Sequence, residues 1–235
     1  MIINTYQKLI NKHMEDDCII LSSGPSLYDF FYKNFDLNIF KNKVIISVNA
    51  SIIACKEKLS WFKKGQKRYW ISNDSLTTRW NWFKIVENGF CIKIIRNSWL
   101  KQNHHGNTEG FLFFSPRKEQ FEKINFNEIG LMSCSSTPSA IDLAIQMGCK
   151  NIYLIGVDHC RKDNKRYFWE YFSKQKRPIY KRLKMDKWQK QKKIFQQNLI
   201  TYKRLNEFAK FKNSKIYNCS KLFNKKNDIF EYKNI

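Results

Sequence analysis

The sequence predicts an α/β fold in which a mostly parallel sheet carries helices on both faces. Three observations lead there. Short apolar runs recur along the chain without the polar–apolar alternation of a half-exposed strand. Stretches with helical spacing of apolar residues lie between them. The runs end at small or polar residues that open the next helix or loop.

Cys18-Ile19-Ile20-Leu21-Ser22 is the first run and reads as a strand buried on both faces. It passes into Ser23-Gly24-Pro25-Ser26-Leu27, with a helix expected to Lys33. Pro25 suits the first helical position, where a missing N–H costs nothing. Gly24 permits a tight turn or the close approach of a ligand. Val44 to Val48 is the second strand, ending at Asn49, with a short helix from Ala50. Arg68 to Ser72 is the third, ending at Asn73-Asp74 and followed by a Trp-rich helical stretch to Val86. Phe90 to Ile95 is the fourth. From Arg96 to Ile129 the pattern is irregular, with Phe111 to Phe114 as a candidate strand and His104-His105-Gly106-Asn107 as a turn.

Ser136-Thr137-Pro138-Ser139 then joins a capping hydroxyl to a proline at the first helical position. Ala140, Ile141, Ala144, Ile145 and Met147 form the apolar stripe of that helix, and Gly148 its left-handed end. Asn151 to Ile155 is the next buried strand, ending at Gly156-Val157-Asp158-His159. Beyond a basic loop, Trp188, Phe195, Leu199, Tyr202, Leu205 and Ala209 mark an amphipathic helix from Asp186. Lys215 to Cys219 is a last strand. Strands alternating with helices imply a Rossmann-like sheet. The expectation is one nucleotide-binding domain over 1–235, with an irregular basic and aromatic lid-like segment over 160–185.

The length of 235 residues allows one full core under a sheet covered on both faces. An apolar share of 43% with 16% aromatics excludes a disordered chain. No run approaches the ~18 consecutive apolar residues of a membrane span. Met1 to Asp17 carries charges where a secretory signal would be apolar. A cytoplasmic location is expected, with peripheral contact at the inner membrane surface left open. Seven cysteines without a CxxC pair read as free thiols, with neither a disulfide framework nor a metal site. The net charge of +23 attracts anions, whether phosphate ligands, nucleic acid or anionic lipid. The accompanying wealth of Asn, Ile, Phe and Tyr matches AT-rich codons, so part of the lysine excess is compositional.

In a parallel sheet, ligands sit beyond the carboxyl ends of the strands. Ser22-Ser23-Gly24, Asn49, Asn73-Asp74 and Gly156-Val157-Asp158 all lie at such ends. Gly24 and the free amides opening at Pro25 and Ser26 are placed to cradle a phosphate. Asn49 and Asn73 offer donors and acceptors to a base or ribose. The bland reading is that loops simply begin there. Asp158 is read either as a ligand for a sugar hydroxyl, ribose or divalent metal, or as a loop cap. His159 is read as a general base or a surface residue, with His104 and His105 as rivals. Tyr167, Phe168, Trp169, Tyr171 and Phe172 form either a packed cluster, an interfacial surface, or a lid over a base or sugar. In the lid reading, Arg177, Lys181 and Arg182 reach phosphates. Neither GxxxxGK[ST] nor GxGxxG occurs, which removes most support for an ordinary ATPase or dinucleotide dehydrogenase.

Ser22-Ser23-Gly24-Pro25-Ser26-Leu27 after an apolar strand resembles the opening shared by two related groups. These are the bacterial sialyltransferases of glycosyltransferase family 42 and the 6-hydroxymethylpterin diphosphokinase MptE-like group. The stretch from Ala140 to Asp158 resembles a segment of both. Tyr167 to Phe172 and Ile216 to Ser220 resemble later segments of the MptE-like group. The resemblance to the sialyltransferases implies that Ser23 and Gly24 hold a CMP phosphate and that Asn49 and Asn73 contact the nucleotide. It implies that Ser135 and Ser136 lie near the donor sugar, and that Tyr167 lies near a tyrosine that stabilises the leaving phosphate. Ser23 stands where that family has Asn, and no histidine follows His159 to match its catalytic one.

The expectation is therefore a glycosyltransferase-like transferase in surface glycan biosynthesis. Its substrate would be a nucleotide-sugar donor such as a CMP-sugar, and its acceptor a glycan or lipid-linked molecule. One alternative is an ATP- and Mg²⁺-dependent pyrophosphokinase acting on a pterin-like acceptor. Another is a non-enzymatic module that binds RNA or anionic membrane through its basic surface.

Overall fold

The computed structural model describes residues 5–33, 36–59, 67–101, 111–117, 129–179, 188–224 and 228–235. Eight strands form one sheet: β1 (Cys18–Leu21), β2 (Val44–Val48), β3 (Arg68–Ser72), β4 (Ile92–Arg96), β5 (Phe111–Phe114), β6 (Asn151–Ile155), β7 (Lys215–Asn218) and β8 (Glu231–Tyr232). Their order is β5-β4-β3-β2-β1-β6-β7-β8, and every neighbouring pair is parallel. The chain builds outward from β1 to β5. It then returns to the other side of β1 with β6 and builds outward again. That reversal puts a topological switch point between β1 and β6, the doubly wound arrangement expected of a Rossmann-like sheet.

The helices follow the same division. α1 (Ser26–Tyr32), α2 (Ile52–Lys58) and α3 (Phe83–Glu87) cover one face, while α4 (Ser136–Gln146) and α5 (Trp188–Phe211) cover the other. A short α6 (Lys221–Asn224) follows β7. Alternate residues of each strand feed the two cores. Ile19 and Leu21 meet the α1–α3 layer, and Cys18 and Ile20 the α4–α5 layer. The same alternation separates Ile45 from Ile46, Trp70 from Tyr69 and Tyr153 from Ile152. This two-sided burial is why the strands read as unbroken apolar runs.

The Trp-rich stretch after β3 is not one helix. Asp74 accepts the Leu76 amide at 2.9 Å and starts a 3-10 turn over Ser75–Arg79, and α3 begins only at Phe83. The turn lets Trp82, Phe83 and Trp99 meet Trp70 edge-on, with ring centroids 5.9–6.5 Å apart. β4 starts at Ile92 rather than Phe90, because Gly89 turns the chain at φ 73. α4 also differs from expectation. Ser135 is its N-cap, Ser136 its first residue, and Pro138 its third rather than its first. The Ser136 hydroxyl caps nothing in its own helix and instead accepts the Asn73 amide at 2.9 Å.

All seven cysteines are free thiols, with Cys18, Cys55 and Cys149 buried. Among the described residues, no helix is long and apolar enough to cross a membrane. His104, His105, Lys181 and Arg182 lie outside the described residues.

A buried ion pair pins α4 to the segment entering it. The guanidinium of Arg117 lies 3.1 Å from Asp142 Oδ1, and both side chains are almost wholly buried. Asp142 also accepts the Met132 amide at 2.7 Å and Gln146 Nε2 at 2.8 Å. Burial pushes the Asp142 carboxyl above its ordinary range, against the pull of these donors. Replacing Asp142 by Ala would remove the carboxylate that faces the buried Arg117 guanidinium. The expected loss is about 3–5 kcal/mol of unfolding free energy, read from urea denaturation.

Candidate functional site

The carboxyl ends of β1 and β6 meet at the switch point through backbone bonds. Ser22 donates its amide to Ile155 O at 2.8 Å, and Gly24 donates its amide to Gly156 O at 2.9 Å. Asp158 then turns back under the loop. Its Oδ2 accepts the Ser26 amide at 2.7 Å, and its Oδ1 accepts the Ser220 hydroxyl. The carboxyl is 3% exposed. Burial raises its pKa, opposed by the bonds from Ser220 and Ser26.

This arrangement depends on Gly24. A Cβ there would stand 2.4 Å from Asp158 Oδ2 and 2.6 Å from Gly156 O. Gly156 itself has φ 76, and a Cβ there would meet Ser22 O at 2.5 Å. Two glycines thus let two strand-end loops touch backbone to backbone. Of the Ser23–Ser26 loop, the Gly24 and Ser26 amides are already engaged. The anion that the Ser26 amide faces is the protein's own carboxylate, which serves as a cap reaching across from another strand. Pro25 precedes α1 with helical angles, φ −62 and ψ −30.

A second polar group gathers around the amino end of α4. Thr137 Oγ1 lies 3.0 Å from Ser22 Oγ, which fixes α4 to the tip of β1. Ser135 Oγ donates to Asn198 Oδ1 at 2.9 Å, and Cys134 Sγ to Asn198 and Thr201 at 3.3 Å. No acidic residue occupies the first turn of α4. Ser22 stands at the expected strand end, whereas nothing in the sequence pattern assigned a site role to Thr137, Asn198 or Ser220. A signal existed for Asn198, which is polar yet falls one turn before Tyr202 on the buried side of α5.

Asn49 and Asn73 sit at successive strand ends, as expected, but differ in how they are used. Asn73 is fully committed within the protein. Its Nδ2 donates to Ser133 O at 3.2 Å and Ser139 Oγ at 2.9 Å, and its Oδ1 accepts from Ser139 at 3.0 Å. Asn49 adopts φ 50, and its side-chain Oδ1 is buried without a protein partner. Ser23 Oγ reaches Val48 O at 3.4 Å.

His159 follows Asp158 with φ 49, a strained angle for a non-glycine residue. Its Nε2 lies 2.8 Å from the Tyr202 hydroxyl, and its ring packs on Tyr202 and Phe223. Burial lowers its pKa to about 4, so the imidazole is neutral at pH 7. Tyr167 stacks on Trp169 at 4.3 Å, with the Arg166 guanidinium 5.0 Å from its ring. Phe168 donates its amide to Ser23 O at 3.2 Å and is fully buried. Tyr171 stacks on Tyr28 of α1 at 4.6 Å. The aromatic segment is thus packed onto α1 beside the loop. The Arg177 guanidinium bonds the carbonyls of Phe172 and Glu170. Among the described residues, no group of three His, Cys, Asp or Glu could hold a metal ion.

No family model and no curated protein matches the chain. Among solved structures, one similar to it is the sialyltransferase CstII from Campylobacter jejuni in complex with a substrate analogue, CMP-3FNeuAc. The two are 17% identical over 92% of this chain and 86% of that chain, with a TM-score of 0.41. A likeness at that level assigns no residue role here.

Asp158→Ala should cost about 2–4 kcal/mol in urea unfolding, because it orphans the Ser26 amide and the Ser220 hydroxyl. Asp158→Asn, which keeps the shape, should cost less than half of that. The His159 imidazole should titrate in NMR with a midpoint near 4. Its folded value lies below the ordinary one, so the unfolded chain takes up the proton first. Stability should therefore fall as pH drops through the interval between about 6.5 and the folded value. A His159 midpoint near the ordinary value would contradict the buried placement.

Proposed function

We propose that the protein is a transferase acting on a nucleotide-activated sugar, held where the strand order reverses between β1 and β6. The observation that carries this reading is the delivery of the α4 amino end to the tip of β1 by the Ser22–Thr137 contact. An eleven-residue helix with no acid in its first turn, flanked by Ser135, Ser136 and Thr137, suits an anionic phosphate. The α1 opening already has Asp158, so the donor phosphate is assigned to α4, with Ser23, Gly24, Pro25 and Ser26 as the adjoining wall.

Asn49 supports the nucleoside end of the reading. Its unpartnered Oδ1 suits a donor from an amino-bearing base or a ribose hydroxyl. Asn73 acts as a positioning residue, tying β3 to the start of α4. A CMP-sugar is the first donor to test, with a glycan or lipid-linked acceptor.

In the transfer, an acceptor hydroxyl attacks the anomeric carbon. The bond from that carbon to the nucleotide oxygen breaks, and the electron pair leaves with the phosphate. His159, its Nε2 held by the Tyr202 hydroxyl, is the candidate to take the acceptor proton once the negative charge of a bound nucleotide raises its pKa from about 4. Tyr167, beside the loop, is the candidate to hydrogen-bond the departing phosphate. The α4 amino end and its hydroxyls would stabilise the charge that develops there.

A thermal-shift panel of CMP, CDP, UDP, GDP and ATP, with and without Mg²⁺, tests the proposal. One pyrimidine or guanosine nucleotide should stabilise the protein without metal. The gain should be roughly 2.7 kcal/mol at 100 times its dissociation constant. Asn49→Leu and Thr137→Val should each weaken that shift. Stabilisation by ATP alone and only with Mg²⁺ would favour a pyrophosphokinase instead. No response to any nucleotide would refute both.

A further inference from the structure

We propose that the amino edge of the sheet, opposite the strand ends of the proposed nucleotide site, is a docking surface for an anionic phospholipid bilayer. Six large apolar side chains stand exposed among the described residues, and four of them, Ile10, Met14, Ile129 and Phe211, gather near this edge. Met14, Ile129 and Phe211 are 60%, 54% and 59% exposed.

Hydrogen bonds place the four together. Asn11, His13 and Glu15 donate their amides to the carbonyls of Gln146, Met147 and Gly148, so the segment with Ile10 and Met14 runs under the carboxyl end of α4. Gly130, next to Ile129, accepts from Gln146 Nε2 at 2.9 Å and donates its amide to Tyr6 at 3.0 Å. Phe211 ends α5. The chain then enters the same edge, where the Ser214 hydroxyl donates to Cys149 O and the Lys215 amide donates to Lys150 O.

The charge around these tips favours an anionic partner. Lys8, Lys12, Lys210, Lys212 and Lys215 are all exposed. The carboxylates of Glu15, Asp16 and Asp17 are paired with Lys150, Lys67 and Lys43. Among the described residues, Glu207, a turn before Phe211, is an exposed opposing charge. Exposed apolar tips set among lysines match the headgroup boundary of an anionic membrane. A second copy of the chain would set lysines against lysines. RNA is matched less well by tips that are mostly aliphatic. The surface stands independently of the proposed reaction. Docked by this edge, the protein would turn the carboxyl ends of its strands away from the bilayer.

The test is co-sedimentation of the full chain with vesicles of pure phosphatidylcholine and of phosphatidylcholine mixed with phosphatidylglycerol. Binding should require phosphatidylglycerol and weaken as salt rises. Met14→Glu with Phe211→Glu should lower affinity at least about tenfold. Lys12→Glu with Lys215→Glu should give a similar loss, whereas Ile200→Glu, on the exposed side of α5, should change nothing. Equal binding to both vesicles, unchanged binding in both double variants, or equal loss in the Ile200 variant would overturn the proposal. So would the absence of vesicle binding alongside tight single-stranded RNA binding, or alongside a dimer that the same substitutions dissolve.

Discussion

The carboxylate of Asp158 ties the two halves of the sheet together at the place where their order reverses. β1 and β6 pair in register from Cys18 and Ile152 to Leu21 and Ile155, but beyond that each chain must leave in a different direction. Helices departing toward opposite faces would open a gap at the tips. Asp158 spans it by accepting from Ser26 at the head of α1 and from Ser220 beyond β7. The contact is possible only because Gly24 has no side chain and Gly156 can take a positive φ. Buried as it is, the carboxylate is matched by donors from two segments far apart in sequence, and it holds both in place.

This tie shapes the carboxyl edge of the sheet. Asp158 already occupies the α1 opening, which is why the proposed function places the phosphate at the α4 opening. That opening is positioned by a chain of small polar contacts: Ser22 to Thr137, Ser135 to Asn198, and Ser136 to the Asn73 amide. Its chemistry is that of hydroxyls and amides rather than clustered carboxylates. In the proposed function, such a site would hold and discharge a nucleotide leaving group. Packing against Tyr202 and Phe223 keeps the His159 imidazole uncharged at neutral pH.

The central sheet was legible in the sequence to the residue for β2, β3 and β6. These strands are buried on both faces and so carry unbroken apolar runs. β8 was not legible, since two residues, Glu231 and Tyr232, carry no pattern. The start of α4 slipped because Ser136 looks like a cap in isolation, yet its hydroxyl serves Asn73, 63 positions away. Asp158 was visible as a residue at a strand end. Its partner Ser26 is 132 positions distant, however, and no local spacing reveals that bond. The same limit applied to the asparagines. Sequence placed both at strand ends, but only the fold distinguishes Asn73, bonded at both side-chain atoms, from Asn49, whose oxygen is left over.

Amide hydrogen exchange with and without a saturating nucleotide tests the central claim most directly, because it reports where the phosphate sits independently of turnover. The account predicts slowed exchange at Ser135, Ser136 and Thr137, and at Asn49, with Ser26 unchanged because its amide is already bonded to Asp158. Protection confined to the Ser23–Ser26 loop, or to the amino edge of the sheet, would contradict it.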